Sequence, residues 1–368
     1  MKIKVALISA GLGNVSRGFE ISAATWFQTL KYNPDYTFRL FSGGNYPEST
    51  AVPNISRNGW ISSLLRRLRT IKDGCRLEQI SFAFGFIIHI IRYKPDIIWL
   101  QEISLAQWLF KFRNWFGFSY KIAFCDGAPV GHHLAKSFDH IIFLHEYARL
   151  NALKDNIPDT IISVIPHISV MPASYTEKNA AKNHFNIPPD NFVVLCVAAW
   201  NTHHKRIDYL LQEIALLIHA GHQNITLFLC GQPEKETEIL KALAESKQIV
   251  TIWKTLYSEE LAIAYDAADV FVLPSLTEGL GAVLIEAGFH NLPVICHQHD
   301  PAKFIFGESY IGLTDLSVKG NLAKKIKEYQ FSELLSLGAE TGLYVKSKFA
   351  PSKLSEDFAD MIQTVYQS

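Results

Sequence analysis

The sequence predicts an α/β protein with two doubly wound, Rossmann-like parallel-sheet domains. Three observations predict it. The chain has 368 residues, more than one ordinary core supports. Near-continuous apolar, β-rich runs alternate with helical patterns along its length, as expected of parallel strands buried on both faces. A proline-punctuated break at 166–189 divides these runs into two series, hence two sheets.

In the first series, strands are expected at 5–9, 37–41, 97–100, 121–124, 140–143 and 161–165. The break holds Pro166, Pro172, Pro188 and Pro189 among polar residues and reads as a linker plus a short helix. The second series is expected at 192–198, 225–230, 249–253, 270–273 and 293–296. Beyond it, Leu354, Phe358, Met361, Ile362 and Tyr366 recur near helical spacing, predicting a last amphipathic helix. The expected domains are 1–170 and 171–348, with 349–368 as the terminal helix.

Apolar residues make up 48% of the chain and charged residues 19%, which is enough for two cores and argues against disorder. The net charge of zero hides an asymmetry. Residues 1–170 carry 19 Lys and Arg against 12 Asp and Glu, and the remainder carries 16 against 23. A basic first half suits an anionic partner, although halves of a neutral protein often differ by a few charges. The five cysteines (75, 125, 196, 230, 296) are odd in number and scattered, which suggests a reducing compartment. The amino terminus runs into a strand with no long apolar region or cleavage site, so no signal peptide is read and a cytoplasmic location is expected. The apolar run 82–91, interrupted by His89, is too short to span a bilayer.

In parallel sheets, ligands gather at the carboxyl ends of strands. Four loops there hold candidate residues. The first, Gly11-Leu12-Gly13-Asn14-Val15-Ser16, begins like a dinucleotide fingerprint, but Ser16 replaces the third glycine. Gly13 could let a substrate approach the backbone or could simply serve a tight turn. In the second, Asp126 could orient a hydroxyl or cap the next helix. The third holds Asn201 and the pair Lys205-Arg206, which suits a diphosphate. The fourth is Glu278-Gly279-Leu280-Gly281-Ala282 with Glu286. There a helix start offers free N–H groups to a phosphate, and the carboxylates suit sugar hydroxyls. His297 and His299 are an i, i+2 pair that reads as a solvent or substrate contact, and no metal site is expected.

At these residues the chain resembles the retaining glycosyltransferases of family 4. Val272-Leu273-Pro274-Ser275, Glu278-Gly279-Leu280-Gly281 and Glu286-Ala287 look like that family's Pro-Ser…Glu-Gly-Phe-Gly…Glu-Ala signature. Asn291-Leu292-Pro293-Val294-Ile295 is similar to its Gly-x-Pro-Val-Ile strand, and Ile165-Pro166-His167-Ile168 to its entry into the second domain. Ala198-Ala199-Trp200-Asn201 and Lys205-Arg206-Ile207-Asp208 resemble its Gly-Arg…Lys-Gly segment.

The resemblance implies a GT-B fold, with two domains facing a cleft and a terminal helix crossing back to the first. It implies a nucleotide-diphosphate sugar donor, UDP- or GDP-linked, as substrate with no cofactor. Glu286 would hold the ribose, and Glu278 with Gly279 to Ala282 the sugar and distal phosphate. Lys205, helped by Arg206 or Asn201, would meet the diphosphate, with the base near Gly231 and Leu256. Glu278, Lys205 and Asp126 would be the catalytic candidates, without a metal. The family's pyrophosphate arginine is Ala199 or Trp200 here, its base loop is only Gly231-Gln232-Pro233, and its first-domain histidine is Cys125.

The acceptor would be a glycan, a glycolipid or a small molecule; no nucleic acid is expected. The segment 57–76 carries Arg57, Arg66, Arg67, Arg69, Lys72 and Arg76 between Ile61, Leu64, Leu65, Leu68 and Ile71. It reads as an interfacial helix for an anionic membrane or as a basic helix packed on its domain. Two rival functions stand beside glycosyl transfer. One is another GT-B enzyme, such as an epimerase or a phosphorylase. The other is a catalytically silent subunit that binds a nucleotide sugar or glycan.

Overall fold

The computed structural model describes residues 2–15, 18–71, 73–127, 137–169, 176–330 and 334–368. Ser16 and Lys72 lie outside them. The chain divides into two compact units, Met1–Ile168 with Pro351–Ser368, and Ser169–Ala350.

The first unit has seven parallel strands: β1 (Ile3–Ser9), β2 (Tyr36–Ser42), β3 (Ser49–Ala51), β4 (Ile97–Leu100), β5 (Lys121–Asp126), β6 (His140–Phe143) and β7 (Ile162–Val164). Their order is β3-β2-β1-β4-β5-β6-β7. The strands β4 and β6 are buried at every position, which explains their unbroken apolar sequences. Helices α1 (Gly18–Leu30), α2 (Trp60–Arg67), α3 (Gly74–Tyr93), α4 (Ile103–Phe116) and α5 (Glu146–Lys154) connect them. Asp73 caps α3 by accepting from the Cys75 N–H, and Gly117 ends α4 at φ 66°.

The second unit has six parallel strands: β8 (Phe192–Val197), β9 (Ile225–Cys230), β10 (Thr251–Lys254), β11 (Val270–Leu273), β12 (Val294–His297) and β13 (Leu313–Thr314). Their order is β10-β9-β8-β11-β12-β13. Its helices are α6 (Lys178–His184), α7 (Ile207–His219), α8 (Thr237–Ser246), α9 (Ser258–Ala267), α10 (Ala282–Phe289), α11 (Asp300–Phe306), α12 (Asn321–Gln330) and α13 (Leu334–Phe349). The last helix, α14 (Pro351–Gln367), belongs to the first unit. Its Phe358 ring packs at a tilt, with centroids 4.6 Å from Trp26 and 6.2 Å from Trp99, and Tyr36 donates to the Ala359 carbonyl at 3.0 Å.

Two expectations change. The edge strands β3 and β13 were not predicted, because three and two residues carry no readable alternation. The segment 57–76 is not one helix. Helix α2 stops at Arg67, and Arg69 takes φ 55° while the Thr70 N–H reaches back to the Leu65 carbonyl. Arg57 faces inward, with Nε 2.5 Å from Glu78 Oε2 and Nη2 3.4 Å from Glu20 Oε1. It is therefore a buried ion-pair partner and has no surface role.

Candidate functional site

Both sheets reverse their winding once, between β1 and β4 in the first and between β8 and β11 in the second. The crevice outside such a reversal is where open α/β sheets take ligands. In the second unit it is bordered by the loops after β8 and β11.

The β8 loop is built around Asn201. Its buried Oδ1 accepts from the N–H groups of His204 at 3.1 Å and Lys205 at 2.8 Å, and this turn presents Lys205. The loop can pack on β9 because residue 231 is glycine. A Cβ there would sit 1.8 Å from the Ala198 carbonyl oxygen. The Gly231 N–H donates to Lys254 at 2.9 Å, and half-buried Leu256 follows β10 on this side. Arg206 takes φ 51° at the start of α7 and stacks over Tyr209 at 4.2 Å. Its Nη1 donates to the carbonyls of Pro274 at 3.1 Å and Leu316 at 2.8 Å, so it ties the β8 and β11 loops together.

The β11 loop brings Glu278 to Lys205, with Oε1 2.5 Å from Nζ. The pair is largely shielded: the side chains keep 8% and 19% of their exposure. His204 Nε2 lies 3.1 Å from the Thr277 carbonyl. Beyond Gly279 and the buried Leu280, Gly281 turns the chain at φ 82° and α10 begins at Ala282. No side chain caps that helix, which leaves its first N–H groups to an anion. One turn on, Glu286 Oε2 accepts from the Tyr265 hydroxyl at 2.9 Å, and burial pushes its carboxyl above the usual range.

The next loop adds His299, which the sequence offered only as a solvent or substrate contact. His299 caps α11 by accepting the Ala302 N–H on Nδ1 at 3.1 Å. The ring proton is therefore on Nε2, which is buried without a partner. Burial holds this imidazole down to about 4, so it is a neutral donor at physiological pH. Trp200 Nε1, Asp208 Oδ1 and Ser275 Oγ, on the same loops and the first turn of α7, are also buried without partners. Each of these groups needs a partner that the chain itself does not supply, ordered water or a bound molecule.

In the first unit, Gly13 sits at φ 83° against the Gly44 backbone, where a Cβ would lie 2.6 Å from a carbonyl carbon. It shapes the loop after β1. Asp126 is the buried last residue of β5. The residue that sequence reasoning missed is Glu102, two residues beyond β4 and just before α4, in the loop at the reversal itself. Its Oε1 accepts from Ser9 Oγ and the Ala10 N–H, both at 2.9 Å, and its buried Oε2 has no partner. A lone glutamate after an apolar strand looks like any solvated residue, so only its burial marks it.

Burial raises the Glu102 carboxyl to about 7, and its hydrogen bonds only partly offset this. The fold then holds that proton more tightly than the unfolded chain. This contribution to stability is complete below pH 4.5 and is lost as pH rises through about 7. Glu102→Gln is expected to stabilise the first unit above pH 7 by up to about 3 kcal/mol and to change nothing near pH 4. Denaturant melts at the two pH values measure this.

Residues 177–336 match the family described as glycosyl transferases group 1. A protein of Bacillus subtilis (strain 168), named as the teichuronic acid biosynthesis glycosyltransferase TuaC, is 33% identical over 101 residues. The match spans 27% of this chain and 26% of that relative, about a quarter of its length. Among solved structures, a sucrose-phosphate synthase from Thermosynechococcus elongatus superimposes with a TM-score of 0.80 at 17% identity, covering both chains fully. The Anabaena protein HepE, in complex with UDP and glucose, gives 0.75 at 13% identity over 98% of this chain and all of its own. The group 1 match covers all the second-unit candidates, from Asn201 to Glu286. The fold is the two-unit, parallel-sheet architecture of these GT-B structures, completed by the terminal helix.

Proposed function

We propose that the chain is a retaining glycosyltransferase that moves a sugar from a nucleotide-diphosphate sugar to an acceptor hydroxyl. The observation that carries this reading is the Lys205–Glu278 pair beside the uncapped start of α10, at the reversal of the second sheet. Breaking a sugar–diphosphate bond builds negative charge on the departing phosphate. A fixed cation and preorganised N–H groups in a shielded place stabilise that charge. Lys205 and the Gly281 to Val283 turn supply them, so the reading invokes no metal and no cofactor. Glu278 holds sugar hydroxyls, and Glu286, kept in place by Tyr265, holds the ribose. Glu102 and Asp126 face the acceptor hydroxyl in the first unit, and Gly13 shapes the loop beside them. The resemblance to family 4 adds attack from the leaving-group face, with the phosphate taking the proton.

The five cysteines are free thiols, four of them buried, which supports a reducing, cytoplasmic setting. UDP and UDP-sugars are the first probes, since HepE is described with UDP and glucose; GDP conjugates come next. A nucleotide at 100 times its Kd should stabilise the native state by about 2.7 kcal/mol, a rise of several degrees in Tm. Glu286→Gln should lose most of that shift. No shift with any nucleotide or nucleotide sugar would sink the reading. Conversion of the donor without an acceptor would point to an epimerase, and binding without transfer or hydrolysis to a silent subunit.

A further inference from the structure

We propose that the outer face of α3 and α4 docks the first unit onto an anionic lipid surface. A helix on a globular core usually turns one apolar stripe inward and polar residues outward. Helix α3 does otherwise. Its inner residues Phe82, Phe86, Ile90 and Tyr93 belong to the first core. Its outer residues Phe84, Ile88 and Ile91 are also apolar, and Phe84 and Ile91 are each 51% exposed. Helix α4 continues the patch with Trp115 at 63% and Phe116 at 58% exposure. The rings form a chain: Phe84 to Trp108 is 5.2 Å and Trp108 to Trp115 is 6.2 Å between centroids. The apolar surface is thus continuous, which marks an interaction face.

Charge selects the occupant. Helices α2, α3 and α4 contain one carboxylate, Glu78, and it is buried against Arg57. Their exposed charges are cations. Arg66 and Arg67 lie on α2, Arg76 and Arg92 on α3, with Lys94 at its end. On α4, the Lys111 ammonium lies 4.7 Å over the Trp108 ring. Aromatic rings edged by long basic side chains suit the headgroup layer, where rings sit at the boundary and cations reach phosphates. A second copy of the same face would set cations against cations, which disfavours self-association. Helix α3 is long and apolar enough to cross a bilayer by length and composition, but its inner face is committed to the core. It therefore lies on the surface rather than spanning it. This docking is independent of the reaction catalysed, so it stands or falls apart from the transferase reading.

The test floats the full chain with phosphatidylcholine vesicles, with and without phosphatidylglycerol. Flotation is expected only with the anionic vesicles, weakening as salt rises, with a blue shift of tryptophan emission. Lys111→Ser should weaken binding about fivefold, and Trp115→Ser with Phe116→Ser about tenfold or more. Lys111 is exposed and the two rings lie mostly outside the core, so Tm should fall by a few degrees at most. Absence of flotation at low salt, or equal flotation of the aromatic variant, would overturn the proposal. So would a dimer in sedimentation that the aromatic variant dissolves, because the face would then be a protein interface.

Discussion

Glu278→Gln should reduce the transfer rate by about 100- to 1,000-fold while leaving the fold in place. The substitution keeps the size of the side chain and removes its charge. In the structure this carboxylate fixes the Lys205 ammonium at 2.5 Å, beside an uncapped helix start. A cation stabilises a departing phosphate only if it is already in position, because reorientation during the reaction would consume the advantage. Without Glu278, Lys205 is free to swing, and its pairing with the phosphate must be rebuilt in each turnover. Lys205→Met should be at least as damaging, since it removes the charge and strands Glu278 in a shielded place. Donor hydrolysis and transfer, measured with the same labelled nucleotide sugar, give the loss in kcat. An unchanged kcat in Glu278→Gln would remove this residue from the chemistry.

Arg57→Met should destabilise the first unit by about 3–5 kcal/mol, enough to lower its Tm on the order of ten degrees. Arg57 is the cation between two buried carboxylates, Glu78 and Glu20. Its backbone N–H adds a 3.0 Å bond to Glu78 Oε1, and Asn14 Nδ2 adds another at 3.2 Å. Removing the guanidinium leaves Glu78 buried with its charge unmet. The loop after β1 would feel the change directly. A Cβ on Gly11 would lie 2.2 Å from Glu20 Oε1 and 2.6 Å from Arg57 Nη2, so this loop rests on the pair. Replacing Arg57 together with Glu78, as Arg57→Met with Glu78→Leu, should recover part of the loss, since only Glu20 is then left without its cation. Denaturant unfolding of the single and double variants measures both effects. A single variant as stable as the parent would refute the account.

The central strands were legible because burial on both faces leaves an unbroken apolar run, as in Ile97–Leu100 and Val270–Leu273. The crevice residues after β8 and β11 were legible because strand ends are where loops collect ligands. What the sequence hid was pairing. Lys205 and Glu278 are 73 positions apart, and no spacing rule joins them. Arg57 was grouped with surface cations because charge is visible in a sequence and its partner is not. The same holds for Glu102 and His299, whose significance lies in one oxygen and one N–H left buried and open. The outward apolar face of α3 was hidden too, since an apolar run looks the same whether one side of a helix or both sides meet protein.

The terminal helix has a consequence for how this protein is made. The first unit needs α14, whose Phe358 packs on Trp26 and Trp99, yet α14 is synthesised after the whole second unit. On the ribosome the second unit can close as soon as its own residues emerge. In the first unit, Trp26 and Trp99 stay without their Phe358 contact until α14 emerges. The first unit is thus the first begun and the last completed, with two large apolar rings uncovered in the interval.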